Sequence, residues 1–190
     1  MMAAEITFHR RLWETALATV AVGVAAGLAG VSTATATSGG ARAPERAAVC
    51  LGSELDVWLN TQGDGAAGST FFTLEFTNLS ARSCTLTGFP RVSAIDLLGH
   101  QIGPAATHDN ASSSRTITLA GSSTQSLGDT GTVVLRIVQA ENFPSTSCHV
   151  IAAAGLRVYA PGALSADVVP FPFEACSRDD ATLMIEAVQK

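Results

Sequence analysis

The stretch TFFTLEFTNLSARSCTLTGFP, residues 70–90, sets the interpretation of the whole sequence. Its first half alternates apolar and polar residues, with Phe72, Leu74 and Phe76 on one side. This alternation predicts a β-strand that turns one face to the core. The polar residues 78–83 then predict a turn, and the residues after them a second short strand. The stretch as a whole therefore predicts a β-hairpin.

The same two-residue period recurs through residues 47–190 and is interrupted by Gly, Pro, Asn and Asp. Residues 92–98 are expected to form a buried strand, and residues 132–138 a central one. Residues 168–170 are expected at a sheet edge, because Pro170 cannot donate to the ladder. About eight to ten short strands in this length predict an all-β fold, an antiparallel, immunoglobulin-like β-sandwich. A closed β-barrel is the alternative.

The first 36 residues have the features of a cleavable signal peptide. Basic residues precede an uncharged apolar run at residues 16–30, and small residues end at Ala36, after which we predict cleavage. The apolar run is shorter than the ~20 residues of a membrane-spanning helix, although a retained anchor is the alternative. We predict a signal peptide at 1–36, a linker at 37–46 and a single domain at 47–190, secreted or associated with the cell wall, with no membrane span in the mature protein.

Two special export routes are weaker alternatives. Arg10 and Arg11 form a twin-arginine pair, but the flanking residues match that signal loosely. Leu28-Ala29-Gly30 resembles the start of a lipoprotein cleavage site, but Val31 occupies the position of the lipid-accepting cysteine. Neither route is favoured over an ordinary signal peptide.

Charge excludes two classes of partner. The net charge is −5, and the only lysine is Lys190. Nucleic-acid binding requires clustered Lys and Arg side chains, and adsorption to an anionic membrane surface requires a polybasic segment. We therefore predict neither partner, and no cofactor.

The four cysteines, Cys50, Cys84, Cys148 and Cys176, include no CxxC motif. An even number at wide spacing in an exported chain predicts two disulfides, with three possible connectivities. If residues 50–60 and 70–79 pair as antiparallel strands, Cys84 returns to Cys50. The same reasoning for residues 155–160 and 166–171 returns Cys176 to Cys148. Cys50–Cys84 and Cys148–Cys176 are the favoured pairs.

Few residues are suited to catalysis. The sequence contains no GxSxG, HExxH or phosphate-binding glycine motif. His100, His108 and Asp109 are close in sequence and could bind a metal, but their spacing is also that of a solvated loop, which we favour. Asp129, Asp179 and Asp180 are typical of turns. We predict no catalytic and no metal-binding residue, and we expect that the protein is not an enzyme.

Two aromatic residues are candidates for a binding surface. Trp58 lies on the side of its predicted strand opposite to Leu55, Val57 and Leu59. Tyr159 lies in a segment that is rich in proline and aromatic residues. Exposed aromatic side chains serve carbohydrate or protein partners, although packing under a loop is the simpler expectation for both.

Four motifs occur in a characteristic order: FTLEFTNLSARSCTLTGFP, GHQIGPAA, GLRVYAPG and VPFPFEAC. In this the chain resembles a family of exported actinobacterial domains that carries only a label of unknown function. The resemblance covers residues 50–188 and implies a β-sandwich in a secreted protein or lipoprotein. It implies no activity, and the chain departs from the lipoprotein members because it lacks their lipid-accepting cysteine.

The expected function is that of an uncharacterised exported protein, a non-catalytic binding or structural module of the bacterial cell envelope. Its partner would be an envelope protein or a glycan. The alternative is a secreted hydrolase that uses acidic or histidine side chains from its loops.

Overall fold

In the computed structural model, the described residues are 47–190. The predicted signal peptide and linker, residues 1–36 and 37–46, lie outside them. The elements are β1 (Ala48–Val49), η1 (Gly52–Glu54), β2 (Leu55–Ala66), β3 (Ser69–Asn78), β4 (Cys84–Thr87), β5 (Arg91–Ile95), β6 (Gln101–Ile102), β7 (Thr107–His108), β8 (Thr116–Leu119), β9 (Thr130–Val138), η2 (Ala140–Asn142), β10 (Val150–Tyr159), β11 (Asp167–Cys176) and β12 (Leu183–Ile185), where η denotes a single 3₁₀ turn. No helix in residues 47–190 has the length and apolar character that crossing a membrane requires.

The strands form three sheets, in the orders β2-β3-β9-β12-β7, β11-β10-β5-β6 and β1-β4-β8. Pairing is antiparallel except between β1 and β4 and between β12 and β7. None of these three sheets closes on itself, so the prediction of an all-β sandwich is confirmed and the barrel alternative is wrong. As predicted, β9 is central in its sheet and β11 is an edge strand.

One hydrophobic core joins the three sheets. The five-stranded sheet contributes alternate side chains such as Leu74, Phe76 and Leu135, which are fully buried. The opposing sheets contribute Leu156, Val158, Leu86 and Leu119 to the same cluster. The ring of Phe72 contacts that of Phe171 across the two layers, edge to face, with the centroids 4.9 Å apart. Side chains at the intervening strand positions therefore point outward from each layer.

The prediction of a hairpin over residues 70–90 is wrong. β3 pairs with β2 and β9, whereas β4 pairs with β1 and β8 in another sheet. The cause is Asn78, which is completely buried at the end of β3. Its amide group donates to the carbonyls of Arg82 and Ala120, and its oxygen accepts from the Ser80 amide, at 2.8, 3.2 and 3.0 Å. These bonds fold the chain into a corner that crosses from one layer to the other.

Both predicted disulfides, Cys50–Cys84 and Cys148–Cys176, are present. β2 and β3 are antiparallel, and the chain before β2 returns alongside β4, where Ala48 lies opposite Cys84. β10 and β11 are also antiparallel, with Val150 opposite Cys176. Two buried disulfides are compatible with a location outside the cytoplasm.

Candidate functional site

The first candidate surface begins with a turn that the sequence analysis placed in a buried strand. The prediction of a strand over residues 92–98 is wrong after Ile95, where β5 ends. The Asp96 carboxylate accepts hydrogen bonds from the amides of Leu98 and His100, both at 2.8 Å. The Gly99 amide donates to the Asp96 carbonyl at 3.0 Å, and Gly99 adopts a φ of +81°, which favours glycine. The chain therefore reverses here instead of continuing as a strand.

This turn holds two leucines in solvent. Leu97 is 93% exposed and Leu98 is 81% exposed. The guanidinium of Arg157 in β10 donates to the Gly99 carbonyl and fixes the far end of the turn to the sheet. The hydrogen bonds from the Leu98 and His100 amides hold the pKa of Asp96 below its ordinary value, with the largest effect from His100. The carboxylate thus stays ionised and keeps the turn closed at neutral pH.

Two hollows flank the turn on the outer side of the four-stranded sheet. One, of about 420 Å³, extends towards Val168 and Pro170, and the other, of about 440 Å³, towards Ala152 and Pro172. Asp96 is the only charged residue that lines either one. We call this surface the apolar face; it comprises Leu97, Leu98, Ala152, Ala154, Val168, Pro170 and Pro172.

A second candidate surface lies on the outer side of the five-stranded sheet. Trp58 of β2 is 45% exposed, between the inward-facing Val57 and Leu59. It lies opposite Glu75 of β3, which in turn lies opposite Thr132 of β9. We call this surface the tryptophan face; it comprises Trp58, Asn60, Thr73, Glu75 and Thr132, of which Asn60 and Thr73 form the next cross-strand pair.

Tyr159, the other aromatic candidate, does not join Trp58. It lies at the end of β10 on the outer side of the four-stranded sheet, opposite Arg91 of β5. The Arg91 guanidinium stacks over the ring, 4.1 Å from its centroid. Because the two sheets form opposite layers, Trp58 and Tyr159 point away from each other. Any binding surface contains one of them only.

The structure does not bring His100, His108 and Asp109 together. The His100 ring lies 3.1 Å from the Asp96 carboxylate, and the His108 ring stacks on Phe89 with centroids 4.2 Å apart. Asp109 accepts from the Ala111 amide in a local turn. Within residues 47–190, no three His, Cys, Asp or Glu side chains are placed to bind one metal ion.

A carboxyl pair that the sequence analysis missed lies at the seam between the layers. Glu141 of η2 and Glu174 of β11 share a hydrogen bond, which lowers the pKa of Glu141 and raises that of Glu174. They border a cleft of about 260 Å³ that is lined by Phe72, Phe171 and Phe173. Both carboxyls are solvent-exposed. Nothing in the spacing of two residues 33 positions apart would have predicted this contact.

Comparison with known proteins gives a family but no activity. Residues 50–189 match the family model described as a domain of unknown function, DUF4232. No curated protein and no solved structure matches the chain. The family model covers nearly all the described residues, including both disulfides and both candidate faces, so this chain belongs to the DUF4232 family.

Proposed function

We propose that the protein is an exported, non-catalytic module of the bacterial cell envelope that binds a partner protein through its apolar face. The two disulfides and the apolar segment at residues 16–30 support export. Actinobacterial origin is part of the same proposal and rests on the order of the four sequence motifs.

The observation that carries the proposal is the exposure of Leu97 and Leu98 on a fastened turn between two hollows. Burying one leucine side chain contributes about 1.5–3 kcal/mol. The hydrogen bonds of Asp96 and Arg157 already hold the turn, so little backbone order is lost on binding. Such an apolar, preformed surface suits the centre of a protein interface.

The charge distribution favours a protein over a lipid surface. An anionic bilayer attracts clustered Lys and Arg side chains, and neither hollow is lined by one. The partner we expect therefore offers an uncharged, apolar surface with a recess for the two leucines.

Site-specific photo-crosslinking in the intact envelope tests this proposal. A benzophenone amino acid at position 97 of the full-length chain should give one discrete protein adduct. The matched control is position 164, because Leu164 is also exposed, at 95%, but lies outside the apolar face. Leu98→Ser should abolish the adduct at position 97. Equal adducts at both positions, or adducts to lipid only, would contradict the proposal.

Hydrolysis is the second candidate function, and the Glu141–Glu174 pair is the observation that favours it. Several hydrolases use two carboxyl groups whose pKa values are shifted in opposite directions, as those of Glu141 and Glu174 are. The exposure of both groups counts against this function, since catalytic carboxyls are normally kept from bulk water. A panel of chromogenic glycosides and esters tests it. Turnover that Glu174→Gln removes would support hydrolysis, and turnover that this variant retains would exclude a role for the pair.

A further inference from the structure

We propose that the tryptophan face is a separate binding site for a chain of neutral sugars. This site lies on the layer opposite the apolar face and would serve a second partner. The module would then link an envelope protein on one side to a glycan on the other.

The register of the strands places the aromatic side chain within a row of polar ones. Trp58, Glu75 and Thr132 are successive cross-strand neighbours on β2, β3 and β9. Adjacent strands lie about 4.8 Å apart, and residues two apart on one strand are about 7 Å apart. Asn60 and Thr73 therefore form a second row directly beside the first. The result is an open platform, which suits an extended chain better than a small enclosed ligand.

The chemistry of the platform matches that of a sugar ring. One side of a pyranose ring carries C–H groups, which pack on the face of an indole, and its rim carries hydroxyl groups. The Glu75 carboxylate can only accept hydrogen bonds, whereas Asn60 and the threonines both donate and accept. Trp58 is 45% exposed, so part of its side chain is available to a ligand.

Other ligand classes fit this platform less well. The centre of a protein interface is apolar, whereas the side chains next to Trp58 across the strands, Glu75 and then Thr132, are polar, and the nearest apolar one on this side of β9 is Val134, opposite Thr73. Nucleic acid and acidic polysaccharides would bring negative charge to Glu75 and to a chain of net charge −5. A neutral polysaccharide avoids both conflicts.

The chain offers a built-in probe for the test. Its two tryptophans are Trp13 and Trp58. In the full-length chain carrying Trp13→Phe, intrinsic fluorescence reports on Trp58 alone. The probes are cellohexaose and the hexamer of N-acetylglucosamine, and oligogalacturonate is the acidic comparison. We expect a saturable emission change with at least one neutral hexamer and none with oligogalacturonate.

Variants separate the role of the ring from that of the fold. Binding is measured by cosedimentation with the insoluble polymer of the hexamer that binds. Trp58→Ala should weaken it about tenfold, the equivalent of one stacking contact, whereas Trp58→Phe should retain part of it. Glu75→Gln should also weaken it, and Leu97→Ser on the apolar face should leave it unchanged.

Several results of these experiments would overturn the proposal. The absence of an emission change up to about 10 mM sugar, a binding weaker than about −3 kcal/mol, would overturn the proposal. So would undiminished binding by a folded Trp58→Ala variant, or an equal response to oligogalacturonate. The proposal would also be overturned if a protein crosslinked to the tryptophan face in a way that depends on Trp58, because the ligand would then be a protein and not a glycan.

Discussion

The apolar face and the tryptophan face lie on the outer sides of the two opposing layers and differ in chemistry. Both arise from strand alternation, with one set of side chains in the shared core and the other set in solvent. On β11 the outward positions include Val168, Pro170 and Pro172, whereas on β3 they include Thr73 and Glu75. The core restricts only the inward set. The composition of the outward set is therefore where the two layers can differ in binding.

The largest expected effect is on the disulfides, which support different sheets: Cys148–Cys176 lies at the four-stranded sheet, and Cys50–Cys84 lies at the three-stranded sheet. Replacing Cys148 and Cys176 with serine should lower the free energy of unfolding by about 3–4 kcal/mol in the chain-entropy model. Because that disulfide joins the ends of β10 and β11, we expect faster hydrogen exchange there and unchanged Trp58 emission. Urea unfolding and hydrogen exchange measure both quantities.

The matched control is the double replacement of Cys50 and Cys84, which should instead loosen the chain before β2. Identical exchange patterns for the two variants would show that the two sheets are not supported independently.

The next effect concerns the corner that separates the layers. Asn78→Ala should cost about 2–3 kcal/mol, because it removes a completely buried amide group that donates to the Arg82 and Ala120 carbonyls and accepts from the Ser80 amide. The matched control is Asn60→Ala on the half-buried outer side of β2, where the cost should stay within about 0.5 kcal/mol. Chemical denaturation followed by circular dichroism gives both values. Equal costs would mean that Asn78 does not hold the corner.

A smaller effect is expected from loosening the turn of the apolar face. Asp96→Ala removes the acceptor for the Leu98 and His100 amides, so both amides should exchange with solvent faster. Because its pKa is lowered in the folded protein, Asp96 contributes stability above its usual pKa of 3.8, and this is lost only as the pH falls through the lower folded value. The wild-type turn should therefore keep its protection at pH 5. Loss of protection at that pH would contradict this account of the turn, and unchanged exchange in Asp96→Ala would do the same.

The sequence predicts the core residues and disulfides of the two layers better than it predicts which side chains are exposed on their outer sides. Alternation identifies Phe72, Leu74 and Phe76 as core residues, and the antiparallel pairing it implies leads to both disulfides. The same pattern fails at Leu97 and Leu98, because an apolar pair after a buried strand resembles core. Asp96 and Gly99 on either side were the available turn signal.

The sequence also did not predict the corner at Asn78 or the Glu141–Glu174 contact, and the reason is different. Both depend on which segments meet in three dimensions. Asn78 bonds to the Ala120 carbonyl, 42 residues away, and Glu141 meets Glu174 only because η2 lies beside β11. Local residue patterns contain no information about such meetings, so these features required the structure.

The smallest effect is expected at the seam between the layers. The shared hydrogen bond raises the pKa of Glu174, so its contribution to stability is present below the usual value of 4.5 and is lost as the pH rises through the raised value. The lowered pKa of Glu141 has the opposite sign: its contribution is present above 4.5 and is lost as the pH falls through its lowered value. The pair is therefore most favourable with one proton, and at pH 7 two carboxylates repel each other.

Glu174→Gln keeps a donor and removes one charge, so it should raise the melting temperature slightly at pH 7 and leave it unchanged near pH 4.5. Glu75→Gln, a matched replacement on the tryptophan face, should show no such pH dependence in thermal melts. A rise that is the same at both pH values would mean that the proton is not shared across the seam.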